Sequence, residues 1–255
     1  MSVRSEAKVY AVGIGPGSLE LLTPQAEKVL RQCTAVAGYR LYLDQVAPLI
    51  EGKKIIPGGM GQEVERCTKA LEAALAGETV AVISSGDAGV YGMAGLLLEL
   101  TQEKRFSEIE IEVVPGITAA LSCAALAGAP LMNDFVVLSL SELMTPEAVI
   151  RRRLEAVAQL DLPAALYNPK SRKRHVLLEY AVEVFRRYGG DKLPGALVRD
   201  AWREGQEVRL FTLDSFPFDA VQMTTLVLIG NSQTRIVNGR LFCLRGYREK
   251  YGVGK

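Results

Sequence analysis

Through the first half of the chain, short apolar runs alternate with segments whose apolar residues recur at helical spacing. KVYAVGIG is followed by TPQAEKVLRQC, then AVAGY, KKIIPGG, the stretch 61–77 and TVAVISSG. This alternation predicts βα units built on a parallel sheet. Thr23-Pro24 has the form of a helix N-cap with proline at the first helical position. Val64, Cys67, Leu71, Ala74 and Leu75 repeat at helical spacing before Gly77 closes that segment. A further strand at 109–114 ends in Pro115-Gly116, and TAALSCAALAGA after it reads as a helix of small residues. The domain junction is placed there, giving an N-terminal domain over 1–115 and a C-terminal domain over 116–255.

The second half is less uniform. Strand-like segments lie at 134–141, 163–168, 195–201, 207–213 and 224–231, with helices between them at about 146–160 and 172–188. The strands after 205 leave no room for a crossover helix, so an antiparallel edge is expected. The predicted fold class is α/β, with two α/β domains, a mostly parallel N-terminal sheet and a mixed C-terminal sheet.

A chain of 255 residues with 49% hydrophobic residues is long enough for one large domain or two moderate ones. Thirty Lys and Arg balance 29 Asp and Glu, so no long-range field gathers polyanions, and no nucleic-acid partner is expected. Cys33, Cys67, Cys123 and Cys243 form no CxxC pair, so reduced thiols are expected and no metal site. The first residues hold too short an apolar run for a secretion signal, and no stretch approaches the roughly 18 apolar residues of a membrane span. The expected location is the cytoplasm, with no membrane partner.

Two glycine-rich loops follow strands. Gly13-Ile14-Gly15-Pro16-Gly17-Ser18 lies where a main chain approaches a ligand at the carboxyl edge of a parallel sheet. Ser18 replaces the last glycine of a dinucleotide fingerprint and Pro16 lacks an N–H for pyrophosphate, so a tight turn using positive φ is an equal reading. Ser84 to Gly92, SSGDAGVYG, adds one carboxylate, Asp87. Taken alone, Asp87 reads as a cap or Asx-turn, although a carboxylate there can also bond a ligand amine or hydroxyl. His175 is the single histidine, which disfavours hydrolase triads and imidazole metal clusters. It closes the basic tract Lys170-Ser171-Arg172-Lys173-Arg174, which charge alone reads as a solvated helix start.

In this order and spacing, VGIGPGSLELLT, SSGDAGVYGMAG and VVPGITAALS resemble the tetrapyrrole (corrin/porphyrin) methylase family over nearly the whole chain. Ala88, where many relatives have proline, together with MNDFVVLSLSELMTP, LYNPKSRKR, VRDAWREGQEV and MTTLVLIGNSQT, resembles the branch acting at ring carbon 17. The resemblance implies a homodimer and S-adenosyl-L-methionine in a cleft between the domains. By matched position it implies a cofactor site of Pro16, Gly86, Asp87, Val90, Tyr91, Thr118 and Ala119, closed by Tyr167, Asn168, Ala201 and Thr225. The implied reaction is methylation of a cobalamin precursor at C(17) with ring contraction, on precorrin-3B or its cobalt-containing equivalent. Sulfonium methyl transfer needs no covalent enzyme nucleophile, only alignment in a dry site. Asp87, His175 and Ser85 are candidate bases for the contraction, and sequence does not rank them. A polycarboxylate substrate turns the reading of Lys170, Arg172, Lys173 and Arg174 toward a carboxylate clamp. The alternatives are a sibling methylase acting at another ring carbon, an RNA ribose methyltransferase, for which a more basic chain is expected, and a non-catalytic nucleoside-binding regulator.

Overall fold

The computed structural model describes residues 7–170 and 176–252, and the chain divides into two units, Met1–Ala119 and Ala120–Lys255. The first unit runs β1 (Lys8–Gly13), α1 (Pro24–Gln32), β2 (Ala35–Tyr39), α2 (Arg40–Gln45), α3 (Ala47–Ile50), β3 (Lys54–Gly58), α4 (Glu63–Leu75), β4 (Val80–Ser84), α5 (Ala94–Leu100) and β5 (Glu110–Val114). Its five strands are all parallel, in the order β3-β2-β4-β1-β5.

Alternation along the strands sends side chains to two separate cores. Val9, Ala11, Val80 and Val82 pack with α4 and α5, while Val12, Ala81, Ile83 and Val114 pack with α1 and the α2–α3 segment. Burial on both faces is why these strands read as near-continuous apolar runs.

Thr23 caps α1 as its position predicts: its hydroxyl oxygen accepts from Ala26 N–H at 3.1 Å, a bond worth about 1 kcal/mol. The same hydroxyl donates to the Pro115 carbonyl at 3.3 Å, tying the first helix to the end of β5. In α4 the buried stripe is Cys67, Ala70, Leu71 and Ala74, with Arg66 and Ala73 beside it. Val64 and Leu75, expected on that stripe, are more than half exposed. Both fall just beyond Leu71, at the border of an arc whose other buried residues lie on the far side of Leu71 toward Ala70 and Ala73.

The second unit contains α6 (Ala119–Ala127, whose first residue ends the first unit), β6 (Gly128–Ala129), β7 (Val136–Ser139), α7 (Glu147–Gln159), β8 (Ala164–Tyr167) and α8 (Val176–Gly189). It continues with β9 (Pro194–Arg199), β10 (Glu207–Thr212), β11 (Thr225–Ile229), β12 (Thr234–Val237), β13 (Arg240–Cys243) and α9 (Tyr247–Tyr251). Its main sheet has the order β10-β9-β11-β8-β7. Only β7 and β8 pair in parallel, so the sheet is mixed, and β10 forms the antiparallel edge expected after residue 205. Helices α7 and α8 cover one face over a core that includes Ile150, Leu154, Leu178, Phe185 and Phe211.

A small sheet of β12, β13 and β6 was not foreseen. Its hairpin turns on Asn238-Gly239, with φ of 51° and 69°, the left-handed pair that a two-residue turn requires. That dipeptide is the signal that announces it. Among the described residues, no helix is long and apolar enough to cross a membrane.

All four cysteines are reduced and buried. Burial disfavours the thiolate, holding Cys33 above its ordinary value and pushing Cys67 to about 11 and Cys123 to about 12. At pH 8 these three thiols should therefore react with a disulfide reagent only after denaturant is added. Fast reaction of the folded protein at Cys67 or Cys123, located by peptide mass mapping, would contradict this packing.

Candidate functional site

In the first unit, the loops after β4, β1 and β5 leave three adjacent strands at their carboxyl ends. Their main chains are in direct contact. Gly15 and Gly86 exchange two backbone hydrogen bonds, of 3.0 and 2.7 Å, and both take positive φ. A Cβ on Gly13 would lie 2.7 Å from both Gly116 N and Gly86 O, and a Cβ on Gly116 would overlap the Gly86 carbonyl. Glycine at 13 and 116 is therefore required for the loops to meet.

Asp87 fastens this junction. Its Oδ1 accepts from Gly89 N–H at 2.8 Å, an Asx-turn, and its Oδ2 accepts from Gly116 N–H at 2.9 Å. The half-buried carboxylate thus orders its own loop and binds it to the loop after β5. The Ser84 hydroxyl accepts from Met93 N–H at 3.0 Å and holds the far end of the second loop, where Tyr91 stands half exposed with φ of 54°. Pro16, Gly86, Asp87, Val90, Tyr91, Thr118 and Ala119 all belong to these three loops or directly follow them.

The second unit brings its own set to one edge. Tyr167 ends β8, with Asn168 next to it, and Ala201 follows β9. Thr225 begins β11, which runs antiparallel to both, so its start lies beside their ends, with Thr225 opposite Arg199. The Tyr167 hydroxyl accepts from Ala120 N–H at 2.7 Å, in the first turn of α6. Asn168 donates from its amide to the Ser139 hydroxyl at 3.0 Å, and Thr225 Oγ1 accepts from Gln222 N–H at 2.9 Å.

Left-handed backbone concentrates at these strand ends. Of the six non-glycine residues with positive φ among those described, Tyr91, Asn168, Asp200 and Trp202 lie there, and Asp161 and Asn238 lie in turns elsewhere. Each such residue stores strain of order 1 kcal/mol or more, a cost that tends to collect where ligands are held.

Ser139, Ser84 and Trp202 were not singled out from sequence. The Trp202 indole N–H donates to Ser122 O at 3.3 Å, beside Ala201. Of the basic tract, Lys170 is described: half-buried, it donates from Nζ to Phe218 O at 3.4 Å. Arg172, Lys173, Arg174 and His175 lie outside the described residues.

The donor set suits a nucleoside better than a nucleotide. Residues 13–18, 84–93 and 115–119 supply glycine main chain, hydroxyls and the apolar Pro16 and Val90, with no Lys or Arg to neutralise a phosphate. Such a lining fits S-adenosylmethionine, a phosphate-free nucleoside carrying a sulfonium.

Residues 8–217 match the model of the Tetrapyrrole (Corrin/Porphyrin) Methylases. The chain belongs to this family. It is 42% identical over 236 residues, 92% of this chain and 98% of the relative, to a probable cobalt-factor III C(17)-methyltransferase of Salmonella typhimurium. It is 41% identical to the cobalamin biosynthesis protein CbiHC of Archaeoglobus fulgidus, covering 98% of this chain but about half, 55%, of that protein. The crystal structure of the methyltransferase CobJ superposes with a TM-score of 0.88 at 34% identity, covering 93% of this chain and 99% of that one. A uroporphyrin-III C-methyltransferase of Thermus thermophilus, solved as its S-adenosylhomocysteine complex, superposes with a TM-score of 0.68 at 25% identity over 88% of this chain and 97% of that one.

Within this methylase fold, Asp87→Ala removes acceptors from two backbone N–H groups and should cost roughly 1–3 kcal/mol of stability. Asp87→Asn keeps one oxygen for Gly89 and should fall between. Thermal melting together with calorimetric titration of S-adenosylhomocysteine checks this, and an alanine variant with unchanged melting would show that the carboxylate does not hold the loops.

Proposed function

We propose that this chain methylates a tetrapyrrole precursor of cobalamin at ring carbon 17, with contraction of the macrocycle, using S-adenosylmethionine. The observation that carries the reading is the match along almost the full length of a relative named as a probable cobalt-factor III C(17)-methyltransferase, on a fold shared with CobJ. S-adenosylmethionine, when bound, would supply an electrophilic methyl group to a nucleophilic ring carbon, its sulfur leaving as the neutral thioether of S-adenosylhomocysteine. The chain's own task is alignment and exclusion of water.

In this reading Pro16, Gly86, Asp87, Val90, Tyr91, Thr118 and Ala119 hold the nucleoside through main chain and apolar contact. Tyr167, Asn168, Ala201 and Thr225 complete its enclosure. Asp87 acts chiefly by keeping the loops together, since each of its oxygens already accepts a backbone N–H. Lys170, with Arg172, Lys173 and Arg174, meets the substrate's acetate and propionate groups, because a chain of net charge +1 has to supply cations locally. The enzyme works as a cytoplasmic homodimer with its domain boundary near residue 115.

Incubation with methyl-labelled S-adenosylmethionine and either precorrin-3B or cobalt-factor III should transfer label to one of them and yield a ring-contracted product by mass and absorption spectrum. Label transfer to RNA, or to no tetrapyrrole, would overturn the reading. Static light scattering at micromolar concentration should give about twice the 27.7 kDa chain mass. A monomer mass would remove the dimer from the proposal.

A further inference from the structure

We propose that Arg66 is a carboxylate-binding residue at the carboxyl edge of the first unit's sheet, where α4 meets the far end of the loop after β4. It rests on the functional reading above for the kind of ligand that brings the carboxylate.

Arg66 lies on α4 and is only 5% exposed. Its Nη1 donates to Gly59 O at 3.2 Å, and its Nη2 meets the Met93 sulfur at 3.6 Å. Its Nε is fully buried with no acceptor. Among the described residues no carboxylate pairs with it, and the acidic residues next to it on the helix are committed elsewhere. Glu63 accepts from Gly61 N–H at 3.0 Å and Glu65 pairs with Lys69 at 2.6 Å. A desolvated cation without a counter-charge is a standing penalty, so a chain that keeps one gains by having the anion arrive with a ligand.

The geometry indicates how that anion fits. Nε and Nη2 form the side of the guanidinium that grips a carboxylate with two parallel N–H bonds. On that side Nε is enclosed without an acceptor and Nη2 touches only a thioether, a weak acceptor on a flexible chain that has to move before an anion can enter. The opposite nitrogen, Nη1, is fixed by the Gly59 carbonyl and packed against Gly58, where a Cβ would lie 2.7 Å away. The arginine is thus anchored by one nitrogen, and the other two lack an oxygen acceptor. Gly58 ends β3, and Met93 ends the loop after β4, so the side that lacks an oxygen acceptor, closed off by the Met93 sulfur, belongs to the edge that carries the glycine loops. Displacement of the Met93 sulfur by a carboxylate exchanges a weak contact for a charged pair.

Two ligands of the proposed reaction carry carboxylates: the tetrapyrrole on its acetate and propionate arms, and the methyl donor on its methionine part. Uroporphyrin, titrated by absorbance, and S-adenosylhomocysteine, titrated by calorimetry, separate them. We expect Arg66→Met to weaken one of the two by tenfold or more, and Arg66→Lys, which keeps the charge but not the fork, to weaken the same one less. A loss confined to uroporphyrin assigns the carboxylate to the substrate, and a loss confined to S-adenosylhomocysteine assigns it to the donor. If Arg66→Met does not fold, as judged by melting, Arg66→Lys alone carries the test, with a reproducible loss for one ligand expected. Wild-type affinity for both ligands in the folded variants overturns the proposal and leaves the functional reading standing. Failure of the wild-type protein to bind either ligand overturns both.

Discussion

Three main chains meet without side chains between them at Gly13, Gly86 and Gly116, and the architecture of the first unit's edge follows from that contact. Because the loops after β1, β4 and β5 touch through backbone, their orientation is set by hydrogen bonds of fixed length. The Asp87 carboxylate adds two charge-assisted bonds to the junction, bridging the second loop to the third. A ligand resting here meets a surface already ordered, so little conformational entropy is lost on binding. The loops cohere through main chain and one carboxylate, with no Lys or Arg among residues 13–18, 84–93 and 115–119, and the lining they offer suits a nucleoside.

The second unit reaches a comparable arrangement by a different route. A parallel sheet gathers loops at one edge because every strand ends there. In the mixed sheet, β8 and β9 end at the edge where the antiparallel β11 begins, and so Thr225, at a strand start, joins Tyr167 and Ala201, at or beyond strand ends. Left-handed residues at Asn168, Asp200 and Trp202 mark where the chain turns sharply out of those strands. The strain is tolerable because neighbouring contacts fix the turns, including the Trp202 indole bond to Ser122 and the Asn168 bond to Ser139.

Charge is distributed to match. Most arginines described in ion pairs sit on exposed helical or strand faces beside a carboxylate, as Arg31 does with Glu27 and Arg187 with Glu155 and Glu183, and such pairs contribute little to stability. Arg66 differs in being buried at the edge of the sheet with an acceptor on only one side of its fork that is more than a thioether.

The sequence by itself determined the alternation of strands and helices in the first unit, the Thr23 cap, the antiparallel edge and the positions of the glycine loops. These are local properties, written in periodicity, in capping residues and in the lack of room for a crossover. The family was legible for the same reason, since its motifs are contiguous strings. Tertiary structure decided what those strings do to one another. Asp87 as an Asx-turn could be read locally, but its second bond runs to Gly116, across 29 residues of chain. The need for glycine at 13 and 116 depends on a carbonyl from a third loop, and the exposure of Val64 and Leu75 depends on which arc of α4 meets the sheet. In the sequence Arg66 is one of several charged residues along α4. Only its neighbours in space, a glycine carbonyl and a sulfur where an acid would be expected, set it apart.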